Sequence, residues 1–243
     1  MHRSILVGLA IAGLISGGCR GNESNSPKPD GRVLADGSGG TAGTIYEIMN
    51  GTVAEGSSVT LRDVVITAVD GYAQPGGYTG DVYVQEVKGG AQSAIKLYRA
   101  QRVDGGEISD LQPGDHVKVE GVIKYFAPKT GFNDAKHPKK VNIKELDQGC
   151  QITRLAGGTA PAPQSLTIKE LTEDPTAETW EYVLVSVQNV GVTQPLDPKY
   201  GEYQVGGVLA VDDELCPSQA KLGDCLSITG ISFPVFWLGI LLQ

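Results

Sequence analysis

The side chains able to do acid–base or nucleophilic chemistry in this chain are few and scattered. Of its three histidines, His2 lies at the very start, His116 in "GDHVKVEG" and His137 in "DAKHPKK". His116 alternates with Val117 and Val119, a period of two that turns it to the outer side of a strand, and no serine motif accompanies it as a nucleophile. His137 stands among Lys129, Lys136, Lys139 and Lys140, a basic patch in a chain of net charge −8. Such a cluster either protects a strand edge with lysines or meets an anion or a polysaccharide. The acidic run Asp212, Asp213 and Glu214 lacks the spaced oxygen ligands and central glycine of a calcium loop, so a turn with charged tips is expected. Asp115 and Asp224 each follow a glycine and precede a strand, where an aspartate bonds nearby backbone amides. No metal site and no cofactor is expected, and the chain reads as non-enzymatic.

The N-terminus carries an address. Residues 1–18 have a basic start at His2 and Arg3, an apolar run from Ile5 to Ile15, and the small residues Ser16, Gly17 and Gly18. That is the layout of a secretory signal, too short and glycine-rich for a membrane-spanning helix. With Cys19 directly after it, the segment resembles a bacterial lipoprotein signal; an ordinary cleaved signal is the alternative. The resemblance implies lipidation of Cys19 and attachment to the membrane of the bacterial cell envelope. Arg20 stands where lipoproteins kept at the inner membrane have an aspartate, which implies the outer membrane. Residues 19–43 are polar and rich in Gly, Ser and Pro, a flexible stalk.

With Cys19 lipidated, Cys150, Cys216 and Cys225 remain in an oxidising compartment. Cys216 and Cys225 flank "CPSQAKLGDC", in which Pro217 and Gly223 can fold the loop back, and they are the expected disulfide. Such a loop closure contributes about 2 to 3 kcal/mol on the chain-entropy model. Cys150 is then free, or displaces one of the two as partner. A zinc site is not expected, because there is no Cys-x-x-Cys and no histidine after His137.

The elements that must position these residues are strands. The chain has 243 residues with 33 Gly and 13 Pro, which favours short strands and turns over long helices. It also repeats itself. "GDHVKVEG" at 114–121 returns as "GDCLSITG" at 223–230, "TIYEI" at 44–48 as "TIKEL" at 167–171, and "VTLRDVVIT" at 59–67 as "VSVQNVGVT" at 185–193. Thr-x-x-Glu in both openings is the spacing of a capping box, so each unit begins with a short helical turn. The apolar parity shifts between Leu61 and Val64, which predicts a bulge in one long bent strand. "DVYVQEV", "AIKLY" and "KKVNIKEL" complete the first unit, and "GEYQV", "VLAV" and "VFWLGILL" the second.

Five strands per unit, a long bent first one and little helix suit a small closed barrel. The ordering resembles the OB-fold, in particular OB-like domains of secreted and lipid-anchored bacterial proteins, some of them fused to extracellular nucleases. The expected fold class is therefore all-β, with two tandem OB-like five-stranded barrels at residues 44–150 and 165–243 joined by a linker at 151–164. A single β-sandwich is the competing architecture, and it does not explain why the capping box restarts.

The resemblance implies a ligand face on the outer side of the second and third strands and the adjoining loops. Tyr83, Lys96, Tyr98 and Arg99 fall there in the first unit, Tyr83 together with Gln85 on the side opposite to Val82 and Val84. Two tyrosines with two cations could stack on and neutralise a ligand. The function expected is a surface-anchored binding or interaction module for a polysaccharide, a nucleic acid or another envelope protein. The alternative is the OB-bearing part or remnant of a secreted nuclease-type hydrolase.

Overall fold

The computed structural model describes residues 41–70, 81–126, 143–147, 149–173, 177–198, 201–212, 215, 218–233 and 240–241. The protein is mostly β. Its first half runs β1 (Thr41–Ala42), α1 (Ile45–Met49), β2 (Ser58–Val69), β3 (Val82–Glu86), β4 (Ala94–Leu97), β5 (Gln101–Arg102), β6 (His116–Phe126), β7 (Ile143–Leu146) and β8 (Gln151–Ala156). The second half runs β9 (Gln164–Ser165), α2 (Ile168–Thr172), β10 (Leu184–Asp197), β11 (Glu202–Val205), β12 (Leu209–Asp212), β13 (Cys225–Ile231) and β14 (Ile240–Leu241). Among the described residues no helix is long and apolar enough to cross a membrane.

In the first half β2 pairs with β3, β3 with β4, β4 with β7 and β7 with β6, and β6 returns to β2. The circuit closes a five-stranded barrel in which only β4 and β7 are parallel. Its interior holds Val59, Leu61, Val64 and Ile66 of β2, each at most 2% exposed, against Val82, Val84, Ile95 and Leu97. Helix α1 closes one end with Ile45, Ile48 and Met49. It is seated by Glu86, whose Oε1 accepts from the Ile45 amide at 2.6 Å, and by Tyr46, whose hydroxyl donates to the Gly89 carbonyl at 2.7 Å.

The second sheet follows the same strand order, β13-β10-β11-β12-β14, again with a parallel pair at its end, β12 and β14, while β9 adds a parallel pairing to β10. The local devices recur with it. Thr44 and Thr167 each cap a helix in a full capping box with Glu47 and Glu170. The bulge expected after Leu61 appears as a register break between Leu61 and Val64 against β6, and its counterpart lies between Val187 and Val190 against β13. Both Gly-Asp turns are built alike. Asp115 Oδ2 accepts from Gln112 N and Asp224 Oδ2 from Lys221 N, each at 3.0 Å. The amides of Gly114 and Gly223 then donate to Ile66 and Val192 carbonyls at 2.8 and 3.0 Å. These aspartates therefore lock the turn onto the first long strand of their unit.

One expectation about the architecture is corrected. The segment read as the start of a linker, Gln151–Ala156, is strand β8, antiparallel to β6. It lies between β6 and the short edge strand β5, with which it pairs in parallel, and its one deep anchor is Ile152, which is fully buried. Asn189 at the second bulge adopts φ 55°, a left-handed conformation that asparagine tolerates better than most residues.

Candidate functional site

The face nominated by its tyrosines is split in two by the fold. Tyr83 points outward from the barrel, as its parity requires, yet it is 4% exposed. The second half covers it: the Tyr83 ring lies 5.8 Å from that of Tyr182 and 5.5 Å from that of Phe233, the latter edge-on. Gln85 beside it is 1% exposed, and its Oε1 accepts from the Leu184 amide at 3.1 Å. Ala68 and Ala94 complete the covered patch within the core of the second half. Gln92, at φ 58°, donates its amide to the Thr179 carbonyl at 2.6 Å. Tyr83 is thus a seam residue, and the expectation that it meets a ligand is withdrawn. The physical reason is that β-strand parity separates inside from outside of a barrel but does not say what packs on the outside.

Lys96, Tyr98 and Arg99 stay at the border of this seam. Lys96 leaves β4 opposite Tyr83 and reaches Glu145 at 2.9 Å and Asp81 at 3.4 Å. Burial works against its ammonium, but the two carboxylates together hold its pKa above the ordinary lysine value. Tyr98 follows β4 and is half-buried, its amide bound to the Leu146 carbonyl at 2.9 Å. Lys96 Nζ lies 5.5 Å and Arg99 Cζ 5.2 Å from the Tyr98 ring centroid, within cation–π range. The chain turns sharply here, Arg99 taking φ 49°, so the guanidinium folds back onto its neighbour's ring.

Lys124 of β6, which the sequence reading did not select, stands opposite Glu145 of β7 in the sheet. It pairs with Asp147 at 3.0 Å, the hydrogen bond that chiefly raises its pKa. The signal that could have found it is its place in "VIKYF", where it alternates outward beside the strand that carries Glu145. The result is a ledge in which the Tyr98 ring lies beside two cations, Lys96 and Arg99, with Lys124 across Glu145 from Lys96, interleaved with the carboxylates of Asp81, Glu145 and Asp147.

The other candidates fall elsewhere. His116 is half-buried, and its Nδ1 lies 2.7 Å from Asp63 Oδ1. Asp115, 3% exposed, also receives Arg154 Nη2 at 2.6 Å, a structural tie between the turn before β6 and β8. Cys225 carries an exposed free thiol and Cys150 a buried one, which burial pushes up to about 12. Cys216, the expected partner of Cys225, lies outside the described residues, as do Cys19 and the basic patch of Lys129, Lys136, His137, Lys139 and Lys140. Asp212 ends β12, and Asp213 and Glu214 also lie outside. Among the described residues no group of three or more His, Cys, Asp or Glu is placed to hold a metal ion.

No protein-family model matches the chain, and no curated protein matches it significantly.

Proposed function

We propose that this chain is a non-enzymatic binding module of the bacterial cell envelope, held by lipid at Cys19, whose ledge around Tyr98 takes an uncharged polysaccharide. Its two units are tandem OB-like barrels, the second a companion that braces the first. The shared strand order, capping boxes, bulges and Gly-Asp turns support the tandem reading, and the leader motif supports the anchor.

The observation that carries the ligand class is the charge balance at the ledge. A nucleic acid is held by cations free to neutralise phosphates. Here Lys96 is committed to Asp81 and Glu145, and Lys124 to Asp147. A sugar ring instead stacks on an aromatic face, and its hydroxyls bond carboxylates and a guanidinium alike. Tyr98 with Arg99 and those acids offers both. Burial of Tyr83 removes the second stacking platform that a single-stranded nucleic acid would use.

The test is affinity electrophoresis of the full chain through gels containing neutral polysaccharides, with Tyr98→Ala as the variant and a labelled oligonucleotide as competitor. Retardation that Tyr98→Ala abolishes and that changes little with salt is the expected result. Retention unaffected by Tyr98→Ala refutes the ledge. Oligonucleotide binding that collapses with salt refutes the ligand class, and no retention on any glycan turns the reading toward an envelope protein.

A further inference from the structure

The seam over Tyr83 contains a carboxylate in an unfavourable place. Glu181 sits between the 3-10 turn Ala177–Trp180 and β10 and is 6% exposed. The backbone amide of Lys144, in β7 of the first half, donates to it. Its Oε1, however, is buried with no hydrogen-bond partner among the described residues, and the indole Nε1 of the adjoining Trp180 is in the same condition. Around Glu181 stand Lys144 of β7 and Lys96 of β4, with Glu178 and Tyr182 from its own segment. Both ammonium groups are engaged elsewhere: Lys144 Nζ donates to the Met49 carbonyl and Lys96 binds Asp81 and Glu145. An ionised carboxylate with a bare oxygen in such surroundings bears a desolvation cost that its neutral form avoids.

The same few residues seat the second half on the first. Tyr182, at φ 60° and buried, presses its ring on Tyr83, and Leu184 binds Gln85. We propose that Glu181 is a proton-operated latch: neutral, it holds the second half over the Tyr83–Gln85 face, and ionised, it loosens that contact and uncovers the face. This device stands apart from the glycan reading, because it concerns the covered face and not the ledge.

The direction follows from linkage. Burial pushes the Glu181 carboxyl up to about 8, against the pull of Lys144 and with help from Glu178. A group whose pKa is higher in the closed form than its ordinary 4.5 favours closure in full below about 4.5. That preference is lost as pH climbs toward about 8, by up to about tenfold per pH unit, and then levels off. The seam is therefore tight in acid and loose at mildly alkaline pH.

The test is amide hydrogen exchange of the full chain at several pH values across this window, corrected for the intrinsic rate of each amide. The reporters are Gln92, which donates to Thr179, and Leu184, which donates to Gln85, with Ile66, bound to the Asp115 carbonyl inside the first half, as reference. Protection of the two seam amides should fall at least about tenfold relative to Ile66 across the window. Glu181→Gln, which stays neutral, should abolish that fall. A flat wild-type profile overturns the proposal, and so does an unchanged fall in Glu181→Gln. Should that variant not fold, Glu181→Met replaces it, and a flat wild-type profile remains decisive on its own.

Discussion

Replacing Tyr83 by alanine separates a ligand-reading tyrosine from a structural one. On an open barrel face the loss of this ring would change stability by about 0.5 kcal/mol or less, as for most surface substitutions. The fold instead encloses it, 4% exposed, between the rings of Tyr182 and Phe233 at 5.8 and 5.5 Å. Removing a large buried aromatic costs about 3 to 5 kcal/mol, part of it from the aromatic contacts themselves. The assay is urea unfolding followed by far-ultraviolet circular dichroism, with tryptophan emission as a second probe. At a slope of about 3 kcal/mol per molar, the midpoint should fall by about 1 to 1.7 M. Because the lost contacts join the two halves, the transition should also broaden or divide, the two probes ceasing to coincide. Tyr98→Ala, which removes a half-buried ring at the ledge, is the control and should move the midpoint far less. A Tyr83→Ala protein within about 0.5 kcal/mol of the parent and still unfolding in one step would refute the seam.

The paired glycines and the two thiols give further tests. Gly114 and Gly223 have φ of 98° and 87°, so alanine pays a similar backbone penalty at both, about 1 to 2 kcal/mol. A Cβ on Gly114 would also lie 2.6 Å from the Gly158 carbonyl oxygen, whereas on Gly223 it meets nothing within 4 Å. Gly114→Ala should therefore be clearly the more destabilising of the two in thermal unfolding, and equal costs would contradict the packing of the first turn against the chain after β8. A thiol reagent applied to the folded, unreduced protein, with modified sites mapped by mass spectrometry, should label Cys225 and spare Cys150, which is 2% exposed with its thiolate disfavoured by burial. Protection of Cys225 that is lifted only by a reductant would restore the Cys216 disulfide expected from the sequence.

The repeat was legible because the features that build it are local. A capping box, a glycine at positive φ and an aspartate bonded three residues back act within a few residues, so their spacing survives in the chain as text. The bulge could also be read, since a break of parity between Leu61 and Val64 is a statement about one strand. What the sequence did not contain in readable form was the partner of each outer face. Tyr83 and Gln85 are amphipathic side chains that suit either water or a buried seam if their polar ends are met, as Gln85 is met by Leu184. Their strand pattern is therefore the same in both settings. The segment that covers them begins with Trp180, Glu181 and Tyr182, a glutamate between two aromatics that reads as a solvated turn until long-range packing encloses it. The ledge was half legible for the same reason: Lys96, Tyr98 and Arg99 are neighbours in the chain, whereas Lys124 and the carboxylates that neutralise the ledge arrive from β6, β7 and the loops beside them. Local chemistry thus nominated an aromatic and basic site. Only the pairing of distant strands set carboxylates beside its cations, and that balance is why, of the polysaccharide, nucleic acid and envelope protein expected from the sequence, the proposal takes the first.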